Sequence, residues 1–215
     1  MFRVLRLDEI DAIPVAGVNM RPLRRALGIT GFAINGWSAD AGKQLIEEHD
    51  ETGAGAGRHQ ELYVVIAGNA RFTVEGETIE APPGTLVYVP DIGSRRSAIA
   101  TADGTSVLVI GGEEGTITPS AFEHYFVARA SVDAGDPRAA YETAAAGLGD
   151  HPDNASLQYN LACYAALAGD DDRALAHLVR AFELEPKTRA WAADDADLDT
   201  LRSDPRYPAP PQEED

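Results

Sequence analysis

The sequence predicts an α+β protein of two domains, a β-barrel followed by repeated α-helices. Short apolar segments punctuated by glycine and proline fill the chain up to about residue 118, a pattern typical of small barrels and sandwiches. From about residue 120 alanine dominates, and apolar residues recur at helical spacing. We expect an N-terminal extension over 1–27, a barrel over 28–118, helices over 121–207 and an acidic, proline-rich tail over 208–215.

Six segments of the N-terminal half are predicted to be strands. Each is short, rich in apolar or β-branched residues and bounded by turn residues. Glu75-Gly76, between Phe72-Thr73-Val74 and Thr78-Ile79, predicts a hairpin turn. The six cover residues 32–37, 43–50, 62–66, 70–75, 85–89 and 106–110.

The helical half contains an internal repeat of period 34. Matching pairs are Tyr125 and Tyr159, Ala128 and Ala162, Gly135 and Gly169, Ala140 and Ala174, and Pro152 and Pro186. This period, with small residues where two helices meet and a closing proline, resembles the tetratricopeptide repeat (TPR). The resemblance implies a groove for a protein partner. Trp191, Leu198 and Leu201 predict a final capping helix.

Two glycine-bounded strand segments resemble the two motifs of the cupin superfamily. Glu61 and Gly68 fit the end of the first motif, and Gly84 and Pro90 fit the second. The resemblance covers roughly residues 30–112. It implies a jelly-roll-like double-stranded β-helix with an internal pocket, and a homodimer.

The metal-binding positions of the resemblance are mostly replaced. The first motif's histidine pair would fall within residues 54–57, which are alanine and glycine, and the second motif's histidine position is Arg95. A guanidinium stays protonated and cannot ligate a metal. We therefore expect no cofactor, and either an internal Arg95–Glu61 pair or a pocket in which Arg95 grips a small anionic ligand. Tyr63 shares the strand face of Glu61.

A rearranged metal site is the alternative. His59 and Glu61 lie on one face of a strand, and His49 joins them if residues 52–58 form an inserted loop. Those three side chains would suffice for a divalent metal. Otherwise, the two histidines cap strand ends or form local hydrogen bonds.

Charge and composition restrict the partners. The chain carries 35 acidic residues against 18 lysines and arginines, a net charge of −17, which disfavours nucleic acid and anionic membranes. No apolar run reaches membrane-spanning length and no signal-peptide core is visible, so we expect a cytoplasmic protein. Cys163 is expected to be buried and inert. The basic segment 21–25 is either solvated surface, a subunit contact or an anion site.

Together these features favour a non-enzymatic module that binds a small ligand in the barrel and a protein at the helices. The rival is a cupin enzyme, an isomerase, a cyclase or a metal-dependent dioxygenase or hydrolase, with a site at His49, His59 and Glu61. A third reading is a scaffold in which Arg95 and Glu61 neutralise one another and side chains fill the barrel.

Overall fold

A computed structural model describes residues 3–15 and 17–208. The chain divides into two compact units, Met1–Ile117 and Thr118–Asp215, which are called unit 1 and unit 2 below. Of the tail predicted over 208–215, all but Pro208 lies outside the described residues.

Among the described residues, unit 1 is built of strands, with a 3-10 helix (Leu7–Glu9) and one short α-helix, α1 (Leu23–Leu27). Strand formation follows the alternation of apolar and polar residues, since successive side chains point to opposite faces. The strands are β1 (Ile13–Val15), β2 (Val18–Arg21), β3 (Ala33–Ala39), β4 (Gln44–His49), β5 (Gln60–Ala67), β6 (Ala70–Val74), β7 (Glu77–Ala81), β8 (Leu86–Val89), β9 (Arg96–Ala100) and β10 (Thr105–Gly112).

These strands form a two-sheet β-sandwich. The six-stranded sheet has the order β1-β2-β3-β10-β5-β8, and the four-stranded sheet has the order β4-β9-β6-β7. Tyr63, Val65 and Val107 from the first sheet pack in one core with Leu45 and Phe72 from the second. The expected barrel is not closed. Within residues 3–15 and 17–208, no strand ladder joins the two sheets, and each sheet ends in an edge strand on both sides.

The segment expected as an N-terminal extension belongs to the larger sheet, since β2 pairs with β3 and β1 with β2. The hairpin turn at Glu75-Gly76 is confirmed. Both residues have positive φ angles, 48° and 81°, as a two-residue turn between twisted strands requires.

Unit 2 is helical and keeps the 34-residue period of the sequence. The second pair of helices begins 34 residues after the first, Ala155 against Ala121 and Asp171 against Pro137. Ala128, Ala140, Ala162 and Ala174 are fully buried where the helices pack. The helices are α2 (Ala121–Asp133), α3 (Pro137–Ala145), α4 (Ala155–Leu167), α5 (Asp171–Leu184) and α6 (Thr188–Asp194).

The end of unit 2 differs from the single capping helix expected there. A 3-10 helix (Ala196–Leu201) follows α6 and buries Leu198 and Leu201 completely, whereas Trp191 stays 44% exposed against Tyr159. Cys163 is buried, as expected, and burial raises the pKa of its thiol. Within the described part of the chain, no helix has the length and apolarity to cross a membrane.

The second helix of each pair begins at an equivalent capping aspartate. Asp136 accepts a hydrogen bond from the backbone N–H of Ala139, and Asp170 accepts one from Arg173. Asp136→Ala and Asp170→Ala are each expected to reduce the free energy of unfolding by about 1 kcal/mol, because an N–H at the helix start loses its acceptor. Urea denaturation of unit 2 measures this loss. Asp150→Ala, which removes a charge outside any cap, should change stability by less; equal losses would contradict the capping role.

Candidate functional site

A cavity of about 390 Å³ opens between β4 and the β1–β3 side of the larger sheet. Its walls mix apolar and polar side chains. Trp37 and Val109 contribute apolar surface, and Glu61 and Tyr63 of β5 contribute polar groups. The other lining residues are Val15, Val18, Asn35, Gln44, Leu45, Ile46, Glu47, Glu48 and His49. The interior is therefore not filled by side chains, unlike the scaffold reading of the sequence.

A buried ion pair lies beside this cavity. The side chain of Arg96, at the start of β9, is fully buried and donates to Glu61 Oε2 from Nη2 at 2.8 Å and from Nε at 3.1 Å. Its Nη1 donates to the carbonyl of Ser94 at 2.8 Å. The Tyr63 hydroxyl donates to the same Glu61 oxygen in a short hydrogen bond. A buried charge needs such partners, since its desolvation is otherwise costly.

The pKa values of Glu61 and Tyr63 follow from this arrangement. Burial alone would raise the pKa of Glu61, but hydrogen bonds from His49, Tyr63 and Arg96, with the charge of Arg96, hold it at about 2. Burial and the neighbouring Glu61 charge raise the pKa of Tyr63. At neutral pH the carboxylate is thus ionised and the phenol protonated.

His49, at the end of β4, faces an acceptor with each ring nitrogen. Nδ1 lies 2.8 Å from the carbonyl oxygen of Glu47, and Nε2 lies 3.4 Å from Glu61 Oε2. Neither oxygen can donate, so both bonds form only when the imidazole is protonated. The bond to Glu61 accordingly raises the pKa of His49, against the effect of burial.

Glu51 completes a group of three side chains that could hold a metal ion. Ligand atoms of His49, Glu51 and Glu61 all lie within 4.8 Å of one another. However, Arg96 Nη2 lies 2.8 Å from Glu61 and 4.0 Å from Glu51. This fixed positive charge already occupies the Glu61 oxygen, and it would repel a divalent cation placed between the carboxylates. The donor set as it stands therefore does not fit a metal well.

The structure brings together three of the five residues expected at the site and separates two. His49, Glu61 and Tyr63 line the cavity. Arg95 does not pair with Glu61: its side chain is 60% exposed and forms an ion pair with Glu48. The His59 ring packs beside Gly111 and is absent from the three-residue group, while its backbone N–H donates to Glu51.

The arginine that pairs with Glu61 is Arg96, one residue after the predicted Arg95. A shift of one residue along a strand moves the side chain to the other face. In β9 the buried positions are Arg96, Ala98 and Ala100, so Arg95 faces outward. The sequence contained one signal for this shift. Gly93 lies one residue after the position at which the second cupin motif has a glycine. Counting from Gly93 assigns the motif's histidine position to Arg96.

Unit 1 is expected to lose stability as pH falls from about 4.5 towards about 2. The folded-state pKa of Glu61, about 2, lies below its ordinary 4.5. The ionised carboxylate therefore contributes to the free energy of unfolding above pH 4.5, and this contribution is lost as pH falls towards 2. Its size is on the order of 3 kcal/mol. Urea midpoints measured against pH test it. A Glu61→Gln variant should lose this acid dependence; an unchanged profile would contradict the prediction.

His49 is expected to contribute in the opposite direction. Its folded-state pKa is raised above 6.5, so its stabilising bonds are present below pH 6.5 and are lost as pH rises through the raised value. NMR titration of the imidazole measures the pKa directly. In Glu61→Gln the pKa should fall towards 6.5, and a pKa of 6.5 or below in the wild type would refute the double-acceptor geometry.

Comparisons with known proteins bear on unit 1. Neither a protein-family model nor a curated protein matches the chain. Solved structures that resemble it include cupin proteins, which match the N-terminal part. A cupin protein from Bacteroides fragilis is 18% identical, with a TM-score of 0.44, over 55% of this chain and 90% of its own.

Two further structures are similar to the same degree. A sugar phosphate isomerase of a cupin superfamily from Silicibacter pomeroyi is 18% identical, with a TM-score of 0.43, over 52% of this chain and 76% of its own. A protein described as a predicted oxalate decarboxylase from Thermotoga maritima is 18% identical, with a TM-score of 0.43, over 51% of this chain and 97% of its own. At these values the likeness says nothing of activity.

Proposed function

We propose that unit 1 is a metal-independent binding domain for a small ligand that donates hydrogen bonds to Glu61. The observation that carries this proposal is the unequal use of the two Glu61 oxygens. Oε2 accepts from Arg96, Tyr63 and His49, whereas Oε1 has no donor among the described residues and is not one of their buried unpaired atoms. Glu61 lines the cavity, so Oε1 is available to a ligand there.

The protonation states favour binding over proton transfer. A general base needs a pKa near the working pH and a free lone pair directed at the substrate. Glu61, with a pKa of about 2, is a weak base, and Tyr63 stays protonated. When it is protonated, His49 directs both N–H groups to protein acceptors. Glu61 and Tyr63 thus keep fixed protonation states, which suits recognition.

The acidic lining favours a neutral or cationic ligand over an anion. Glu47, Glu48 and Glu61 line the cavity together with one imidazole, His49, whereas Arg96 lies behind Glu61, and Arg95, the partner of Glu48, is not a lining residue. The small anionic ligand expected at Arg95 therefore loses its binding group. Trp37 supplies an aromatic surface for the apolar part of a sugar-like or alkylammonium ligand.

The test is a ligand panel read by the fluorescence of Trp37 in a Trp191→Phe background, since these are the two tryptophans of the chain. The panel contains neutral monosaccharides, alkylammonium ions, oxalate and a sugar phosphate. We expect saturable changes in Trp37 fluorescence only with the first two classes, because Trp37 reports on this cavity. Oxalate and the sugar phosphate represent the compounds in the names of two similar structures. If only these anions changed the fluorescence of Trp37, the proposed class of neutral or cationic ligands would be refuted.

A matched pair of variants locates the binding. Val109 lines the cavity, whereas the next residue of β10, Ile110, lies against Phe32 and Leu62 on the other face of the sheet. Val109→Phe should fill the cavity and abolish binding, while Ile110→Phe should leave it unchanged. Equal effects of the two substitutions would show that the ligand binds elsewhere.

A metal-dependent enzyme is the second candidate, and the orientation of His49 favours it. A metal-ligating histidine usually donates its other N–H to a carbonyl or carboxylate, as His49 does to Glu47. Calorimetric titration with Zn²⁺ and Mn²⁺ separates the candidates. The binding proposal predicts no stoichiometric uptake; stoichiometric uptake that disappears in His49→Ala and Glu51→Gln would overturn it.

For unit 2 we propose two TPR-like helical pairs. Supporting features are the equivalent capping aspartates, the buried alanines and the left-handed glycines Gly135 and Gly169, with φ angles of 83° and 76°. Gly135→Ala and Gly169→Ala should destabilise unit 2 by similar amounts if the pairs are equivalent. The protein partner, the homodimer and the cytoplasmic location stay predictions.

A further inference from the structure

A second cavity, of about 670 Å³, lies on the other face of the six-stranded sheet. Asn19, Ser38 and Ser106 are directly opposite one another on β2, β3 and β10, so their side chains share one face. Trp37 and Val107, their neighbours along the strands, face the sandwich interior. The row of three polar side chains forms one wall of this cavity.

Arg21 extends over this polar row. It lies opposite Gly36 on β3, where a side chain is absent, and its Nη1 donates to Ser38 Oγ at 3.0 Å. Its Nε is buried and has no hydrogen-bond partner among the described residues. Its Nη2 also has no acceptor among those residues but is not one of their buried unpaired atoms, so it is available to a ligand oxygen.

The charges around the cavity differ from those of the protein as a whole. Arg21 and Lys43 line it, and neither forms an ion pair within residues 3–15 and 17–208. Arg6 at the rim is paired with Asp8, and Asp40 accepts from the backbone N–H of Gly104. Two unpaired cations thus face one carboxylate, in a chain of net charge −17.

From these features we infer that this cavity binds the phosphate group of a small molecule. Arg21 and Lys43 would supply the charge, and Ser38 and Asn19 further donors. Ser38 Oγ accepts from Arg21, so its own hydrogen is available to a ligand oxygen. Donors from several side chains suit the three terminal oxygens of a phosphate monoester better than the two of a carboxylate. This assigns Arg21, from the basic segment 21–25, to an anion site that is separate from the cavity at Glu61.

Glycerol 3-phosphate is the probe, titrated into ¹⁵N-labelled protein. We expect saturable shifts at the amides of Lys43, Gly104 and Ser106. Arg21→Gln and Lys43→Gln should each raise Kd by about tenfold or more, because each removes a charge-assisted hydrogen bond. Arg25→Gln, the same charge change outside the cavity, and Val109→Phe in the other cavity should leave Kd unchanged.

Lys43 is exposed and has no partner among the described side chains, so its variant keeps the test valid if Arg21→Gln does not fold. Acetate, titrated in parallel, separates phosphate from carboxylate recognition. Shifts that do not saturate, an equal effect of Arg25→Gln, or equal affinity for acetate would each overturn the proposal. Saturable binding of the phosphate ester that Lys43→Gln weakens and Arg25→Gln does not would support it.

Discussion

Arg96→Met is expected to destabilise unit 1 by about 3–5 kcal/mol, because it leaves a buried carboxylate without its counter-charge. Glu61 has an exposed side-chain fraction of 11% and, among the described residues, keeps only Tyr63 and His49 as donors once Arg96 is removed. Ser94 also loses the donor to its carbonyl. Urea denaturation, followed by Trp37 fluorescence in a Trp191→Phe background, measures the change.

Arg95→Met is the matched control for this experiment. It removes the same group from the preceding residue, but the Arg95–Glu48 pair is exposed and should contribute less than about 1 kcal/mol. Arg96→Met combined with Glu61→Gln should recover part of the lost stability, since no buried charge is then left unpaired. Equal losses for the two arginine variants would refute the assignment of Arg96 as the buried partner.

Gly68→Ala is expected to cost about 3 kcal/mol or more, the sum of a left-handed backbone and a steric clash. Gly68 follows β5 with a φ angle of 64°, and an added Cβ would lie 2.5 Å from both Cα and Oγ1 of Thr105. Thr105 is fully buried, and its Oγ1 accepts from the Asn69 N–H and donates to the Ala102 carbonyl. It has no room to move aside.

Gly84→Ala separates the two causes. Gly84 also has a positive φ angle, 89°, but an added Cβ meets no atom within 4 Å. Its cost should therefore be the backbone term alone, about 1–2 kcal/mol. Thermal and urea denaturation of both variants measure the difference. If the two substitutions cost the same, contact with Thr105 is not what requires glycine at position 68.

The strands with regular alternation could be predicted from the sequence, whereas β9 could not. β5 and β10 follow apolar patterns that mark them as strands. β9 begins with Arg96-Ser97 and has alanines at its buried positions, so its inner face carries no hydrophobic signal. A buried arginine contradicts the usual partition of charged residues, and only its partner Glu61 on β5 explains it.

The sequence could predict which residues of β4 and β5 line the candidate site, but not which side chains pair with one another there. His49, Glu61 and Tyr63 could be assigned to one face by counting along strands. The ladder between β4 and β9 contains two register shifts, between Gln44 and Ile46 and between Ile46 and His49. Such irregularities reorient side chains in ways that a period of two does not describe. The contribution of Glu51 depends on the same region, just past the end of β4.

The position of β4 at the edge of its sheet has a consequence for how fast a ligand is exchanged. β4 supplies one wall of the cavity, from Gln44 to His49, yet among the described strands it pairs with β9 alone, through an interrupted ladder. Edge segments of this kind open locally at lower free energy than central strands. We therefore expect faster amide hydrogen exchange in β4 than in β9, and a ligand residence time set by the detachment of this strand.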